Sequence, residues 1–392
     1  MNKQRKNIAL FTFGIGNISG GGGAERFFSD LFEEYNESEL RKYELFWILD
    51  KVSAENLNSV GKNLNYTKIL KFQIFSNRFK YLIEKIQLLI LILRYKIKVV
   101  HVPMYNLHFQ PYIDFLTSLP KFLRPIVTIN IVDCSLPYCF LDGSLPRHDG
   151  VVKTYTGLFN NSRVNGYLSW NENFVDFAKR NEVFRVPPYV YAIKSRFCKT
   201  KDFYPQEKEN IVVFASRLAV FKNADWYLKA ISVLYRKEPF ILNNWDFLIC
   251  GDGPYKSDLV RLSEELGLND KVKFKVEPQL QKVLNHSRIF VSCQDFDNFP
   301  SMSMAEAMAS GNIIVSRNVG QTGLFVRDGY NGFLSTSDTV EGVAMALRAA
   351  IIAANESDYM SQNSVMMMKN VHTVPAFIMQ IDEFWETCLT KN

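Results

Sequence analysis

Apolar runs of four to six residues recur along the chain, each closed by a turn and followed by a stretch with helical spacing. The first run, IALFTF at 8–13, leads into GIGNISGGGGAER and then the helical pattern AERFFSDLFEEY. Strand, glycine loop and helix in that order predict an α/β opening unit. LFWILD at 45–50 is a second predicted strand. A predicted helix near 73–93 precedes a strand at 97–102, and PIVTINI at 125–131 is the next. GYLSW at 166–170 and EVFRV at 182–186 are shorter strand candidates. The region 133–150, punctuated by Pro137, Gly143, Pro146 and Gly150, reads as an extended surface loop.

Near residue 195 the pattern is interrupted by KSRFCKTKDFYPQEKEN, polar and charged, and then resumes more clearly. Strands are predicted at 211–216, 246–250, 272–275, 288–293 and 312–316. Helices are predicted near 223–236, near 255–266, after 275, over MAEAMASG and at 376–389. Short apolar strands alternating with helices predict parallel sheets covered on both faces. No 20–50-residue repeat is present, so the chain reads as two α/β domains and not a solenoid. The expected division is an N-terminal domain at 1–195, a linker at 196–209, a C-terminal domain at 210–370, and a final segment, 371–392, whose helix returns to the N-terminal domain.

Composition narrows this further. The 392 residues are 47% hydrophobic and 22% charged, which excludes a mainly disordered or fibrous chain. The 46 basic and 40 acidic side chains give a net charge of +6. That excess fits an anionic small ligand, an anionic membrane surface or mild nucleic-acid affinity. No polybasic tail or zinc-finger spacing supports the last, so no nucleic-acid partner is expected. The six cysteines form no C-x-x-C pair and read as reduced thiols. The start MNKQRKN enters a strand with no apolar leader, so no secretory signal is expected. The apolar stretch at 81–93 is interrupted by Glu84 and Lys85 and is too short to span a bilayer. The expected location is therefore cytoplasmic. Between Lys71 and Lys98 seven cations face one acid, Glu84, which suits peripheral contact with an anionic membrane; its apolar residues read equally as domain core.

Several strand ends carry candidate chemistry. Gly20 to Gly23 precede a helix whose free N–H groups and dipole suit a phosphate. The run matches neither a clean G-x-G-x-x-G nor a P-loop, and a tight turn explains it equally. Arg217 follows the first strand of the second half, with Lys222 five residues later; the pair could hold and neutralise a diphosphate, or be an ordinary solvated basic pair. Gly251 and Gly253 permit close backbone approach, while Asp252 reads as a helix cap. In DFDNFPSMSMAEAMASG at 295–311, Asp295 and Asp297 lie in a turn, Pro300 and Ser301 suit a helix start, and Glu306 lies on that helix. Glu306 could accept ribose hydroxyls or be a surface acid. His101, Asn130 and Asp133 close or follow strands of the first half and could line a cleft; a strand-end His is also a common structural residue. No H-E-x-x-H or His/Asp cluster predicts a metal, and no G-x-S-x-G elbow predicts a hydrolase.

Taken together these motifs resemble a retaining glycosyltransferase of family 4, the glycosyl transferases group 1 family. The resemblance rests on GGAER at 22–26, SRLAVFKNAD at 216–225, CGDGP at 250–254, EAMASG at 306–311 and VSRNVGQTGLFVRDGYNGFL at 315–334. It covers about 120 residues of the second half in the right order and is weaker in the first half. It implies the GT-B fold, two Rossmann-like domains facing a central cleft. It also implies an N-terminal acceptor domain and a C-terminal domain for a nucleoside-diphosphate sugar. Arg217 and Lys222 would contact the donor diphosphate, Glu306 the ribose, Gly22 and Gly23 the donor phosphate or substrate, and the Gly251–Gly253 loop the base. Phe299, Pro300 and Ser301 fall within the same binding segment.

Two departures stand out. The family's acidic pair has seven intervening residues, and counting back from Glu306 gives Asn298; Asp297 supplies a carboxylate one position earlier and is preferred for a donor-sugar contact. The family's N-domain His has no counterpart here, where Asn130 and Asp133 are the candidates. The expected reaction is hexosyltransferase-type transfer to a hydroxyl of a glycan or polyprenyl-linked acceptor in surface polysaccharide biosynthesis, with catalytic roles for Arg217, Lys222 and Asp297 and no cofactor. The alternatives are a sugar phosphorylase or nucleotide-sugar epimerase of the same fold, and a non-catalytic nucleotide-sugar-binding protein.

Overall fold

The computed structural model describes residues 5–14, 23–59, 68–75, 79–132, 155–160, 163–180, 184 and 186–391. The chain divides into two compact units, Met1–Lys194 with Val374–Asn392, and Ser195–Thr373.

The first unit holds seven strands: β1 Asn7–Phe11, β2 Glu44–Asp50, β3 Ile69–Phe72, β4 Ile97–Val102, β5 Ile126–Ile131, β6 Gly166–Ser169 and β7 Tyr189–Ala192. They pair in parallel in the order β3-β2-β1-β4-β5-β6-β7. Residues on both faces of the inner strands are buried, as expected of a parallel sheet sandwiched by helices. Phe11 sits at the centre of an aromatic cluster, edge-on to Phe72, Phe109 and Tyr112 at centroid distances of 5.4–5.7 Å. The helix Val374–Thr390 counts with this unit. Its Trp385 packs edge-on to Tyr35 at 5.7 Å, and its Asp382 accepts hydrogen bonds from the Tyr35 hydroxyl and from Lys42 N–H at 3.0 Å.

Three differences from the expected elements have local causes. The strand placed at 182–186 is instead β7, and Phe184 and Val186 lie outside it. Pro187 and Pro188 offer no ladder donors, so pairing begins after them. β3, a four-residue edge strand, carries three hydrophobic residues interrupted by Lys71 and gave no strong pattern. The helix expected near 73–93 is Lys80–Arg94, and Gln73–Phe75 lie outside it. The region 133–150 lies outside the described residues.

The second unit holds β8 Glu209–Ala215, β9 Asp246–Cys250, β10 Val272–Lys275, β11 Ser287–Ser292, β12 Ile313–Ser316 and β13 Gly332–Leu334. All pair in parallel, in the order β10-β9-β8-β11-β12-β13. The helices Ala224–Lys237 and Val340–Glu356 pack over it through Tyr227, Leu228, Ile231, Leu347 and Ile351, all fully buried. Part of the stretch expected as a linker is packed into this unit. Cys198 Sγ lies 3.7 Å from Ala305 O, and Tyr204 and Gln206 N–H donate to Asn285. Its charged composition concealed the anchoring Phe203 and Cys198, both buried.

Both sheets share one topology: strands run outward in one direction from β1 or β8 and then resume on its other side at β4 or β11. Each sheet thus has a switch point where the strand order reverses, with a crevice beyond the carboxyl ends. These are two parallel-sheet Rossmann-like domains. Among the described residues, no helix is long and apolar enough to cross a membrane, and no three His, Cys, Asp or Glu side chains group as metal ligands. Cys198, Cys250, Cys293 and Cys388 are buried.

Candidate functional site

The second unit's switch point lies between β8 and β11, and the sequence motifs gather there. The loop after β8 is fixed by the loop after β9: Ser216 N–H donates to Cys250 O at 3.1 Å, Leu218 N–H to Asp252 O at 2.9 Å, and Tyr255 N–H to Leu218 O at 3.1 Å. Gly251 and Gly253 have φ of +153° and +155°, a region costly for any other residue. A Cβ at either would also lie 2.0 Å from Ser216 O or 2.3 Å from Leu218 O. Backbone therefore packs on backbone, and Arg217 projects from a rigid turn. Asp252 does not cap the next helix; its carboxylate is exposed, 3.4 Å from Lys256 Nζ.

Arg217 is exposed, its guanidinium 6.0 Å from the Phe221 ring centre, and it makes no ion pair with a described residue. A single 3₁₀ turn, Val220–Lys222, ends at Asn223 with φ of +51°. Asn223 then ties this turn to the loop after β11. Its Nδ2 donates to Cys293 O at 3.1 Å and to Asp295 Oδ1, while Asp295 N–H donates to Phe221 O at 3.1 Å. Lys222 Nζ donates to Gln294 Oε1, and Gln294 Nε2 donates to the Asp297 carbonyl. A continuous chain of contacts thus runs from Lys222 to Asp297.

From the end of β12, Arg317 completes the edge. It pairs with Asp295 at 2.8 Å and with Asp338, donates to Cys293 O at 3.1 Å, and stacks 4.4 Å from the Trp226 ring centre. Its charge is spent on holding these loops together. Arg217 makes no ion pair with a described carboxylate, so its charge adds to the site's positive potential.

Asp297 and Asn298 are both buried, with different surroundings. Asn298 Oδ1 accepts from Ser292 Oγ at 2.5 Å, and its Nδ2 donates to Ser316 Oγ at 2.8 Å and Thr322 Oγ1 at 3.1 Å. Its amide is consumed in joining the ends of β11 and β12. Asp297 Oδ1 accepts from Phe299 N–H at 3.0 Å, while Oδ2 has no hydrogen-bond partner among the described residues. Gly320, with φ of +53°, closes over this carboxyl; a Cβ there would lie 2.8 Å from Oδ2. Burial pushes the carboxyl up to about 7, against backbone hydrogen bonds that favour its charged form.

The helix Met302–Ala309 begins with Ser301 as its N-cap, its Oγ accepting from Met304 N–H at 3.4 Å. Glu306 is buried on it, among the small side chains of Ala305, Ala307 and Ala309. Phe299 is buried edge-on to Phe325 at 4.9 Å, whereas Pro300 and Ser301 are partly exposed. Arg217, Lys222, Gly251, Gly253, Asp297 and Asn298 therefore meet at one sheet edge. Gln294 and Arg317 join them without having been singled out from the sequence. Arg317 directly follows β12 and Gln294 comes two residues after β11, so strand-end polarity was the available signal.

In the first unit, Gly23 opens the helix Gly23–Glu37, while Gly22 and Asp133 lie outside the described residues. His101 does not line a cleft. It is fully buried on β4, with Nδ1 2.9 Å from Thr128 Oγ1 and its ring against Trp385 and Phe384. Burial holds its imidazole down to about 3, hence neutral. Asn130 is also fully buried and donates from Nδ2 to Pro103 O at 3.0 Å. Position in a strand alone could not reveal that the C-terminal helix covers His101.

Comparison with known proteins matches residues 199–365 to the family model of glycosyl transferases group 1. The UDP-N-acetylglucosamine–peptide N-acetylglucosaminyltransferase GtfA subunit of Streptococcus pneumoniae is 29% identical over 135 residues, 33% of this chain and 25% of that protein. An α-1,4-N-acetyl-D-galactosaminyltransferase of Campylobacter jejuni, named for a diNAcBac-PP-undecaprenol-linked glycan, is 24% identical over 151 residues, 38% of this chain and 40% of that protein. The chain thus spans a quarter to two-fifths of these relatives' lengths. The crystal structure of HepE from Anabaena with UDP and glucose superposes with a TM-score of 0.72 at 14% identity, over 98% of this chain and all of that one.

Proposed function

We propose that this protein is a retaining, hexosyltransferase-type glycosyltransferase that moves a sugar from a nucleoside diphosphate to a hydroxyl of a glycan or lipid-linked acceptor. The observation that carries this reading is the pairing of Arg217 and Lys222 on rigid turns at the second unit's switch point, joined through Gln294 to the buried Asp297. The family match over 199–365 supports it, as does the likeness to a structure containing UDP and glucose.

The donor's diphosphate lies against Arg217 and Lys222. As the sugar C1–O bond breaks, negative charge grows on the departing phosphate oxygen and positive character on C1. The two cations stabilise the former in place, without reorganising at the moment of reaction. The acceptor oxygen bonds to C1 from the face the diphosphate leaves, and its proton passes to a diphosphate oxygen; C1 keeps its configuration. Asp297 accepts donor-sugar hydroxyls through the oxygen that has no partner, and Glu306 accepts from the ribose. Arg217→Ala should lower kcat/KM by roughly 2–4 kcal/mol in transition-state terms, the range for a lost preorganised donor. The test is mass-resolved product analysis over a nucleotide-sugar panel, with cell-derived lipid-linked acceptors. Full donor-dependent transfer by a folded Arg217→Ala, Lys222→Ala double variant would defeat the assignment.

The acceptor side of this reading places the protein on an anionic membrane. The helix Lys80–Arg94 turns Leu82, Ile83, Ile86, Ile90 and Leu93 outward, with Phe79 64% exposed just before it. At 100° per residue these fall within one arc, flanked by Lys80, Lys85 and Arg94. Glu84 points inward, accepting from Phe75 N–H at 2.8 Å and from the Tyr112 hydroxyl. The outer face therefore pairs apolar side chains with cations only, which complements anionic lipid. A second copy laid on this face would oppose cation to cation.

A further inference from the structure

Away from the site described above, the first unit contains a cavity of about 650 Å³ lined by Lys121, Arg124, Arg163 and Lys391. Among the described residues, no carboxylate lines it. Its floor lies at the amino ends of three strands: Ile126 opens β5, Asn165 precedes β6 and Tyr189 opens β7. It is thus at the opposite end of this sheet from the carboxyl ends, where α/β folds usually bind ligands.

Among the described residues, the four cations make no ion pair. Lys121 and Arg163 make no hydrogen bond or ion pair with a described residue. Arg124 donates to Thr117 O at 3.4 Å, and Lys391 Nζ stands 4.5 Å over the Tyr189 ring. Four like charges around one concavity repel one another and focus a positive field within it. Its volume is that of a small-ligand pocket, about 300–1,000 Å³. Pro125, Val164, Val186 and Pro187 supply an apolar wall. Two guanidinium forks and two ammonium groups match several phosphate oxygens better than a single carboxylate.

We infer that this cavity is a binding site for a phosphate-bearing anion, separate from the transfer site of the second unit. The anion neutralises the four cations, and its binding stabilises the first unit. The chemistry recognised is the phosphate, carried by a soluble anion or by a lipid headgroup, and the experiment separates the two.

The full chain carrying Arg217→Ala and Lys222→Ala, which disables the second unit's cations, is titrated with inorganic pyrophosphate by calorimetry. Binding should persist, and should weaken as salt rises. Adding Arg124→Ala and Arg163→Ala should weaken it by about tenfold or more, the loss expected for two charge-assisted contacts. Lys121→Glu and Lys391→Glu, at exposed positions that leave the core untouched, should do the same. Without ligand and at low salt, Arg163→Ala should melt no lower than the parent, because it relieves repulsion. Vesicles containing phosphatidylglycerol form the second arm. Lost pyrophosphate binding with retained vesicle binding assigns the site to a soluble anion, and loss of both assigns it to a headgroup. Pyrophosphate binding that is absent in the parent, or unchanged by the pocket substitutions, overturns the inference.

Discussion

Asp297 and Asn298 adjoin, are equally inaccessible, and do opposite work. Asn298 is a structural amide whose partners Ser292, Ser316 and Thr322 are 6, 18 and 24 residues away, so its engagement could not be read from the turn sequence. The alternative between Asp297 and Asn298 was legible; which of them keeps an oxygen without a described partner was not. Asn298→Ala should remove three buried hydrogen bonds and destabilise the second unit by roughly 2–4 kcal/mol, visible as a lower melting temperature. Asp297→Asn should instead lower turnover while the protein stays folded. Its carboxyl titrates at about 7, raised from 3.8 by burial, so the folded protein holds the proton more tightly than the unfolded chain. The stability this proton confers is complete below about pH 4 and is lost as pH rises through 7. Asp297→Asn should flatten that decline and raise stability at pH 8 by roughly 1–3 kcal/mol, a discounted fraction of the full linkage. If turnover depends on the ionised carboxylate, the parent's rate rises through pH 7 and the variant's does not. A variant with the parent's turnover and the parent's pH–stability curve would remove Asp297 from both roles.

Individual elements were legible where periodicity and burial coincide. β4 and β9 occupy the ranges their apolar runs predict, because inner parallel strands must be apolar on both faces. The three-residue edge strand β13 was not, since one covered side leaves little pattern. The helix Lys80–Arg94 shows a different limit. Its sequence is apolar nearly all round, and only the fold reveals that Leu88 and Ile92 face the core while Ile86 and Ile90 face outward. That division yields a test of the membrane reading. Replacing Ile86 and Ile90 together by Glu should weaken binding to phosphatidylglycerol vesicles by more than about tenfold, since each side chain loses apolar burial in the bilayer interface. The melting temperature should hold, because both positions are exposed. Reversing Lys80 and Lys85 should weaken binding chiefly at low salt. Cosedimentation unaffected by both pairs would place the lipid contact elsewhere or nowhere.

At the scale of the whole molecule, the two units share a topology but not an equal sequence signal. The family model matches 199–365, wholly within the second unit. There the motif residues occupy contacts that admit few alternatives, such as Gly251 and Gly253 against the backbone of Ser216 and Leu218. In the first unit, the strands required only apolar runs, and the pattern gave the fold without naming functional side chains. This asymmetry predicts where the proposed nucleotide acts. Hydrogen exchange on the intact chain, with and without UDP, should show its largest slowing in 216–223, 293–301 and 317–322. These loops leave the carboxyl ends of β8, β11 and β12 and are already cross-linked by Asn223, Gln294 and Arg317. At 100 times the dissociation constant, binding adds about 2.7 kcal/mol to the bound unit, or roughly 100-fold slower exchange for amides that open only in the free form. Inner-strand amides of β1, β4 and β5 should change far less. Arg217→Ala with Lys222→Ala should abolish the slowing at a fixed UDP concentration, by removing the diphosphate contacts. Protection confined to 5–132, or protection in the second unit that survives the double substitution, would show that the nucleotide is held by other residues.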